Sequence, residues 1–120
     1  MRVETAISGL SALAQEGRLA VFRRLVKAGK SGLAAGAIAD AVGVPANTLS
    51  AQLNILSQAG LLEKRRDGRS IIYSVNFEAV SDLIVWLMED CCAGDAAIAG
   101  PVEQAASRCC FPTNFQGAPQ

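Results

Sequence analysis

The residues best suited to chemistry in this chain are four cysteines, which stand in two adjacent pairs. The pairs are Cys91-Cys92 and Cys109-Cys110, with residues 93–108 between them. Thiolate sulfur binds soft metal ions, and neighbouring thiols also support reversible oxidation. Structural disulfides are rare in the reducing cytosol, so the pairs predict soft-metal binding or redox chemistry. The alternative is that these cysteines are buried and chemically inert.

The composition excludes several classes of enzyme. No histidine is present, which removes His general bases, zinc sites with His ligands and Ser-His-Asp triads. We also find no phosphate-binding loop and no catalytic dyad, so we do not expect an enzyme. The chain has no run of roughly eighteen apolar residues and no secretory signal, which predicts a cytoplasmic protein without a membrane partner.

Charge is distributed unevenly although the net charge is zero. Between Arg18 and Arg69 nine basic residues accompany three acidic ones, whereas the two ends carry two basic and eight acidic residues. The balance is therefore +6 in the middle and −6 at the ends. This asymmetry predicts a polyanionic partner for the middle of the chain.

The middle contains a predicted helix that begins near Pro45 and ends at Gly60. Leu49, Leu53 and Leu56 repeat at helical spacing and would face the core. The residues on the other side of the helix are small, polar and uncharged, which suits insertion of the helix into a groove. Its candidate contact residues are Asn47, Thr48, Ser50, Ala51, Gln52 and Asn54.

A predicted β-hairpin follows this helix directly. Asp67-Gly68 is a strong signal for a two-residue turn, and residues 71–75 alternate as in a half-buried strand. Four basic residues surround this turn, and their positive charges repel each other unless an anion binds there. A polar helix followed by a cationic hairpin has the arrangement of a recognition helix and its wing; the alternative is a surface helix and hairpin with no ligand. The basic residues are Lys64, Arg65, Arg66 and Arg69.

Four further helices are predicted over residues 3–14, 16–28, 33–42 and from an Asn76 cap to about residue 90. In the second helix, Leu19, Phe22, Leu25 and Val26 are expected to face the core. The short third helix, ending at Gly43, forms a helix-turn-helix with the helix that follows. Broad apolar arcs on the first and last helices predict that these two pair across a two-fold axis. The alternative is that both pack only on their own core.

In this order, the elements resemble the ArsR/SmtB family of metal-responsive repressors over roughly residues 10–90. The resemblance implies a mostly α fold with a small β-hairpin, a winged helix-turn-helix, that binds double-stranded operator DNA as a homodimer. Residues 1–93 would form the DNA-binding and dimerisation domain, and residues 94–120 a flexible tail. The resemblance rests on three stretches, which match the family's first two helices, its helix-turn-helix and its wing. They are LSALAQEGRLAVFRRL, AIADAVGVPANTLSAQLNILSQAGLL and EKRRDGRSIIYSV.

The cysteines narrow the resemblance to one subgroup. The helix before the recognition helix lacks the cysteine motif of many arsenic sensors, and the zinc sensors' histidines are absent. The pairs resemble the subgroup whose arsenite site lies at the end of the last helix. This implies an arsenite-responsive repressor that dissociates from DNA when As(III), or Sb(III) or methylarsenite, binds Cys91, Cys92 and either Cys109 or Cys110.

Other chemistries fit the same cysteines. Four thiolates would suit a tetrahedral Cd, Pb or Zn site, and oxidation of one pair against the other would give a redox-sensing repressor. A regulator whose ligand is not a metal is a further alternative.

On DNA, Asn or Gln would pair with adenine and Ala51 would touch a thymine methyl group. Arg65, Arg66 and Arg69 would hold phosphates or enter the minor groove, and so fix the register more than they read the sequence.

Overall fold

A computed structural model of the protein describes residues 1–89. The chain divides into two compact units, residues 1–83 and 84–120, and the packing described below is that of the first. The predicted boundary at residues 93–94 and the predicted flexible tail lie outside the described residues. The elements are α1 (Val3–Leu13), α2 (Glu16–Ala28), a 3-10 turn (Gly29–Ser31), β1 (Leu33–Ala34), α3 (Ala35–Val42), α4 (Ala46–Gln58), β2 (Leu62–Asp67), β3 (Ser70–Val75) and α5 (Phe77–Met88).

One apolar core joins the helices to the base of the sheet. Leu25 of α2, Ile38 of α3 and Leu56 of α4 are fully inaccessible to water. Leu62 and Val75, which pair across β2 and β3, close the core from the side of the sheet. Burying an aliphatic side chain of this size contributes about 1.5–3 kcal/mol, so α4 and the hairpin are held by the same set of contacts.

The three strands form an antiparallel sheet in the order β1-β3-β2. Asp67 pairs with Ser70 at the end of the ladder, so the turn consists of Gly68 and Arg69. The turn predicted at Asp67-Gly68 is therefore one residue too early, because Asp67 is still part of the ladder. Gly68 has a φ of +64°, which a residue without a side chain adopts at no steric cost.

The prediction of a helix over residues 33–42 was wrong at its start. Leu33 and Ala34 form β1 and pair with Tyr73 and Ile72, and α3 begins only at Ala35. Leu33 and Ala34 adopt an extended conformation because β3, which is distant in sequence, supplies the strand with which they pair. Gly32 turns the chain into β1 with φ +70° and ψ −169°, a conformation that is essentially confined to glycine.

The predicted ends of the other elements agree with the structure. α3 ends at Gly43, which is left-handed with φ +72° and ψ +39°. Gly60, just after α4, has a φ of +83°. The Asn76 carbonyl oxygen Oδ1 accepts a hydrogen bond from the Ala79 N–H at 3.1 Å, which confirms Asn76 as the cap of α5.

The first helix buries only small residues, and the second buries two of the four residues expected to face the core, Phe22 and Leu25. In α1 the small residues Ala6, Gly9 and Ala12 are buried. In α2 the buried side chains are Val21, Phe22 and Leu25; Leu19 and Val26 are exposed, so the buried face is rotated from the predicted one.

Small buried residues let α1 approach its neighbours closely: Leu83 and Leu61 lie within van der Waals reach of Gly9. The large apolar side chains of α1, Val3, Ile7 and Leu10, are exposed.

None of the helices formed by residues 1–89 has the length and apolar character needed to cross a membrane.

Candidate nucleic-acid interface

The outward half of α4 is a polar, uncharged surface. Pro45, with φ −64° and ψ +155°, precedes the helix as its cap residue. Leu49, Leu53 and Leu56 turn toward the core, so helical periodicity leaves the intervening residues on the outside. Five of the six predicted base-contacting residues are brought together on this exposed side: Asn47, Thr48, Ser50, Ala51 and Asn54.

Gln52, the sixth predicted base-contacting residue, lies in a different environment. It is partly buried, and its side-chain oxygen Oε1 is enclosed with no hydrogen-bond donor among residues 1–89. Its amide nitrogen lies against Gly17 in the first turn of α2. Gln52 therefore sits on the flank of α4 that packs on α2, and the base contact assigned to it stays a prediction.

The N-terminal turn of α4 carries a local hydrogen bond. The Thr48 N–H donates to Asn47 Oδ1 at 2.9 Å, and the exposed amide nitrogen of Asn47 makes no hydrogen bond within residues 1–89. An amide donor suits the acceptor atoms that base edges display in the major groove.

The first strand of the wing, β2, is cationic and is exposed on both faces from Glu63 to Asp67. Because side chains alternate along a strand, Arg65 points to the opposite face of β2 from Lys64 and Arg66. Arg65 Nη2 donates to the Ser31 carbonyl oxygen at 2.9 Å, so this side chain ties β2 to the turn that precedes β1. In the described part of the chain the side chains of Arg66 and Arg69 make no hydrogen bond or ion pair, which leaves their guanidinium groups available to phosphates.

Charges at the base of the wing are mixed. Lys30, Lys64 and Arg65 line a groove there together with Glu63 and Glu78. Within residues 1–89 the ion pair found is Arg2–Glu4, at 3.5 Å and fully on the surface. At the tip, Arg66 and Arg69 are accompanied by one acid, Asp67, and neither arginine forms an ion pair with it.

The four cysteines, Cys91, Cys92, Cys109 and Cys110, lie outside the described residues. α5 ends at Met88, shortly before Cys91 in sequence. Residues 1–89 contain no cluster of His, Cys, Asp or Glu side chains that could hold a metal ion. The metal-binding assignment therefore stays a prediction.

Comparison with known proteins agrees with this geometry. The helix-turn-helix domain family matches residues 13–65. The chain is 32% identical over 89 residues to the HTH-type transcriptional regulator YgaV of Escherichia coli, covering 74% of this chain and 88% of YgaV. The chain belongs to the winged helix-turn-helix transcriptional regulators. It is 37% identical over 81 residues to the nodulation protein NolR of Rhizobium meliloti, which covers 68% of this chain and 64%, less than two thirds, of NolR.

Solved structures place this winged helix-turn-helix regulator among ArsR-like proteins. One is the homodimeric winged helix-turn-helix domain of Mb0332 from Mycobacterium bovis, named a "possible ArsR-family transcriptional regulator", with 31% identity and a TM-score of 0.61 over 72% of this chain and 77% of that domain. Another is named "possible transcriptional regulator for arsenical resistance", with 27% identity and a TM-score of 0.54 over 67% of this chain and 80% of that one. YgaV and both of these structures are named as regulators of transcription, and the chain is accordingly a regulator of transcription, in agreement with the prediction that it is not an enzyme.

Proposed function

We propose that the protein is an arsenite-responsive repressor that binds operator DNA as a homodimer and is released when As(III) binds its cysteines. The observation that carries the DNA-binding part is the pairing of an exposed, uncharged α4 surface with unneutralised arginines at the wing tip. The α4 residues would enter the major groove and meet base edges, while Arg66 and Arg69 would hold the phosphate backbone.

Dimerisation is supported by the apolar side chains that α1 leaves in solvent. Val3, Ile7 and Leu10 are 54%, 57% and 41% exposed, and they follow one another at helical spacing. In α5, Ile84 and Val85 are also exposed. We propose that these two helices pair with their copies across a two-fold axis, as Mb0332 is homodimeric. The two α4 helices would then lie about 34 Å apart, one turn of DNA.

The metalloid part of the proposal rests on the chemistry of the cysteines. Arsenite is a neutral, soft acid in water, and three thiols can replace its three hydroxyl groups with release of three water molecules. Soft thiolate ligands favour soft ions of this kind. Cys91 and Cys92, with Cys109 or Cys110, supply enough sulfur for such a site, and the similarity to a regulator named for arsenical resistance supports the choice of metalloid.

Release from DNA requires only a modest coupling free energy between the cysteine site and the DNA-binding surface. The first cysteine pair follows directly on α5, which we assign to the dimer interface. Drawing the second pair onto the first would change the relative orientation of the two subunits, and the two α4 helices would no longer fit successive grooves. A coupling free energy of about 1–3 kcal/mol changes DNA affinity roughly 5–150-fold, which is enough for control.

Fluorescence anisotropy with a labelled duplex from the protein's own promoter tests the proposal. Under reducing, metal-free conditions we expect tight binding, and added arsenite should weaken it at least fivefold. C91S should bind the duplex equally well and ignore arsenite, and S81A, a change of an exposed serine on α5, is the matched control that keeps the response. A protein that ignores the duplex, or that stays bound in excess arsenite with every thiol reduced, would contradict the proposal.

Counting the thiols that arsenite protects from alkylation distinguishes the alternatives. Protection of three thiols per subunit supports arsenite binding. Protection of all four by Cd, Pb or Zn, together with release from DNA by those ions alone, would point to the tetrahedral site. Release by a mild oxidant, with no protection by any metal, would point to the redox-sensing repressor.

A further inference from the structure

We propose that Gln52 is a positioning residue: its amide, packed against Gly17 of α2, sets the angle at which α4 presents its outer surface, and it does not itself read a base. The inference rests on the proposed DNA-binding role of α4. It differs from the role that the sequence alone suggests for Gln52, and two independent observations support it.

The first observation is the environment of the Gln52 amide. The neighbouring residues Ala51 and Asn54 are exposed, whereas Gln52 is partly buried and its Oε1 is enclosed with no donor among residues 1–89. An enclosed acceptor without a donor is unfavourable, so hydrogen bonding does not hold the side chain in place. What holds it is the packing of its carbon chain and amide between α4 and α2.

The second observation is the space that Gly17 leaves. A Cβ atom on residue 17 would collide with Gln52 Nε2, and Gln15 Oε1 lies 3.2 Å from the same point. Gln15 is itself fixed, because its Oε1 accepts the Arg18 N–H at 2.9 Å. Two amides therefore cover the first turn of α2, and a side chain on residue 17 would displace the Gln52 amide from the position that it occupies.

The position of Gln52 in α4 converts this contact into an orientation of the helix. Leu49 and Leu53, which flank Gln52 along the helix, are 1% and 2% exposed, so they anchor α4 along one apolar line. The Gln52 contact lies beside that line and limits rotation about it. Recognition groups must be held within about 0.5 Å of their working positions, so a small rotation would move Ala51 and Asn54 off the base edges.

Four variants test this arrangement: G17A, Q52M, the double variant G17A/Q52A, and G36A as the matched control. Gly36 is also helical, and no atom lies within 4 Å of a Cβ built there. Alanine favours helix over glycine at an unobstructed position. We therefore expect G36A to melt no lower than the parent protein. G17A should melt roughly 2–4 °C below G36A, a small loss because the colliding atom is at the end of a flexible side chain, and G17A/Q52A should recover that loss because the collision is gone.

Measurements of DNA binding distinguish a positioning role from a purely structural one, because a purely structural role would not change the preference among duplexes. The probes are the preferred duplex, every single base-pair substitution of it, and an unrelated duplex. Q52M keeps the length of the side chain without its amide, so its base preferences should match the parent within about twofold at every position. G17A should lower the preference for the preferred duplex over the unrelated one about tenfold, with non-specific binding unchanged.

Two results would overturn the inference. If Q52M loses discrimination at a single base pair, by the roughly 5–150-fold that one good base contact supplies, then Gln52 reads that base. If G17A melts like G36A, then Gly17 is not required by Gln52. The melting comparison needs no DNA, so a failure of the parent protein to bind any duplex would count against the proposed function and leave this test in force.

Discussion

The outer surface of α4 and the tip of the wing are both expected to face DNA, yet they are built in opposite ways. α4 is uncharged on its exposed side and is backed by Leu49, Leu53 and Leu56, all at most 2% exposed. The wing is cationic, and every residue from 63 to 70 is exposed. α4 is therefore fixed by its packing on the core, whereas the wing projects from the core and is attached to it only at the base of the wing.

This difference assigns a separate task to each region. Reading a base edge requires donors and acceptors in fixed positions, which a helix packed on a core can supply. Holding phosphates requires positive charge and tolerates adjustment of position. We therefore expect changes on α4 to alter which DNA is bound, and changes at the wing tip to alter how tightly any DNA is bound.

The largest expected effect comes from detaching the wing at its base with G32A. Gly32 has a glycine-only backbone conformation, and a Cβ there would collide with the Tyr73 carbonyl oxygen of β3. Backbone strain alone costs about 1–3 kcal/mol, and the collision adds to it because β1 can no longer pair with β3. We expect a loss of roughly 3 kcal/mol or more in the free energy of unfolding, measured by urea denaturation.

G29A is the matched control for G32A. Gly29 has nearly the same backbone angles, φ +72° and ψ −157°, but a Cβ at residue 29 would have no atom within 4 Å of it. G29A should lose only the strain contribution, about 1–3 kcal/mol, and should be the more stable of the two variants. Equal losses in the two variants would show that the close approach to Tyr73 does not secure the wing.

On α4, the variant N54A should relax the choice of base at one position. Asn54 is exposed on the outer surface and makes no hydrogen bond with another described side chain. Loss of a bidentate contact to a base costs about 1–3 kcal/mol of discrimination. Affinities for all single base-pair substitutions of the preferred duplex measure this. The exposed Ser81 of α5, changed to alanine, is the control that should leave every preference intact; uniform weakening by N54A would assign Asn54 to backbone contact instead.

At the wing tip, R66Q should weaken binding to all sequences alike and make it less sensitive to salt. Removing one phosphate contact lowers the slope of log K against log [salt] by about 0.9, so the loss of affinity between roughly 50 and 200 mM salt should be about threefold smaller. Salt titrations on preferred and unrelated duplexes measure the slope.

R65Q is the comparison for R66Q, because Arg65 already donates to the Ser31 carbonyl oxygen. We expect R65Q to change the salt slope less than R66Q does and to lower the stability of the wing. A larger salt effect for R65Q than for R66Q would reverse the assignment of the two arginines.

The elements that were predictable from the sequence are those with a local cause. The leucine repeat of α4 and the Asn76 cap of α5 depend on residues within one or two turns, and both agree with the structure. β1 was missed because Leu33 and Ala34 become a strand only through pairing with Ile72 and Tyr73, far along the chain. The hairpin turn was misplaced by one residue because the register depends on how Leu62 and Val75 meet in the core.

The candidate site was predictable to a similar extent. The exposed polar residues of α4 and the arginines of the wing could be named from their types and spacing, since helical periodicity determines which of them face outward. The position of Gln52 could not, because it depends on the missing side chain of Gly17, in a different helix. The same holds for Arg65, whose acceptor is a carbonyl oxygen of the turn before β1. The cysteine assignments lie beyond residue 89 and stay predictions.

The exposure of the hairpin tip also makes it the natural place to modify the protein. Because every residue from Glu63 to Ser70 is exposed, extra residues inserted at Gly68-Arg69 would lengthen the hairpin without disturbing the packed interior. A fluorophore or a longer turn placed there would report on contact with the duplex while the folding of the rest of the chain stays as it is.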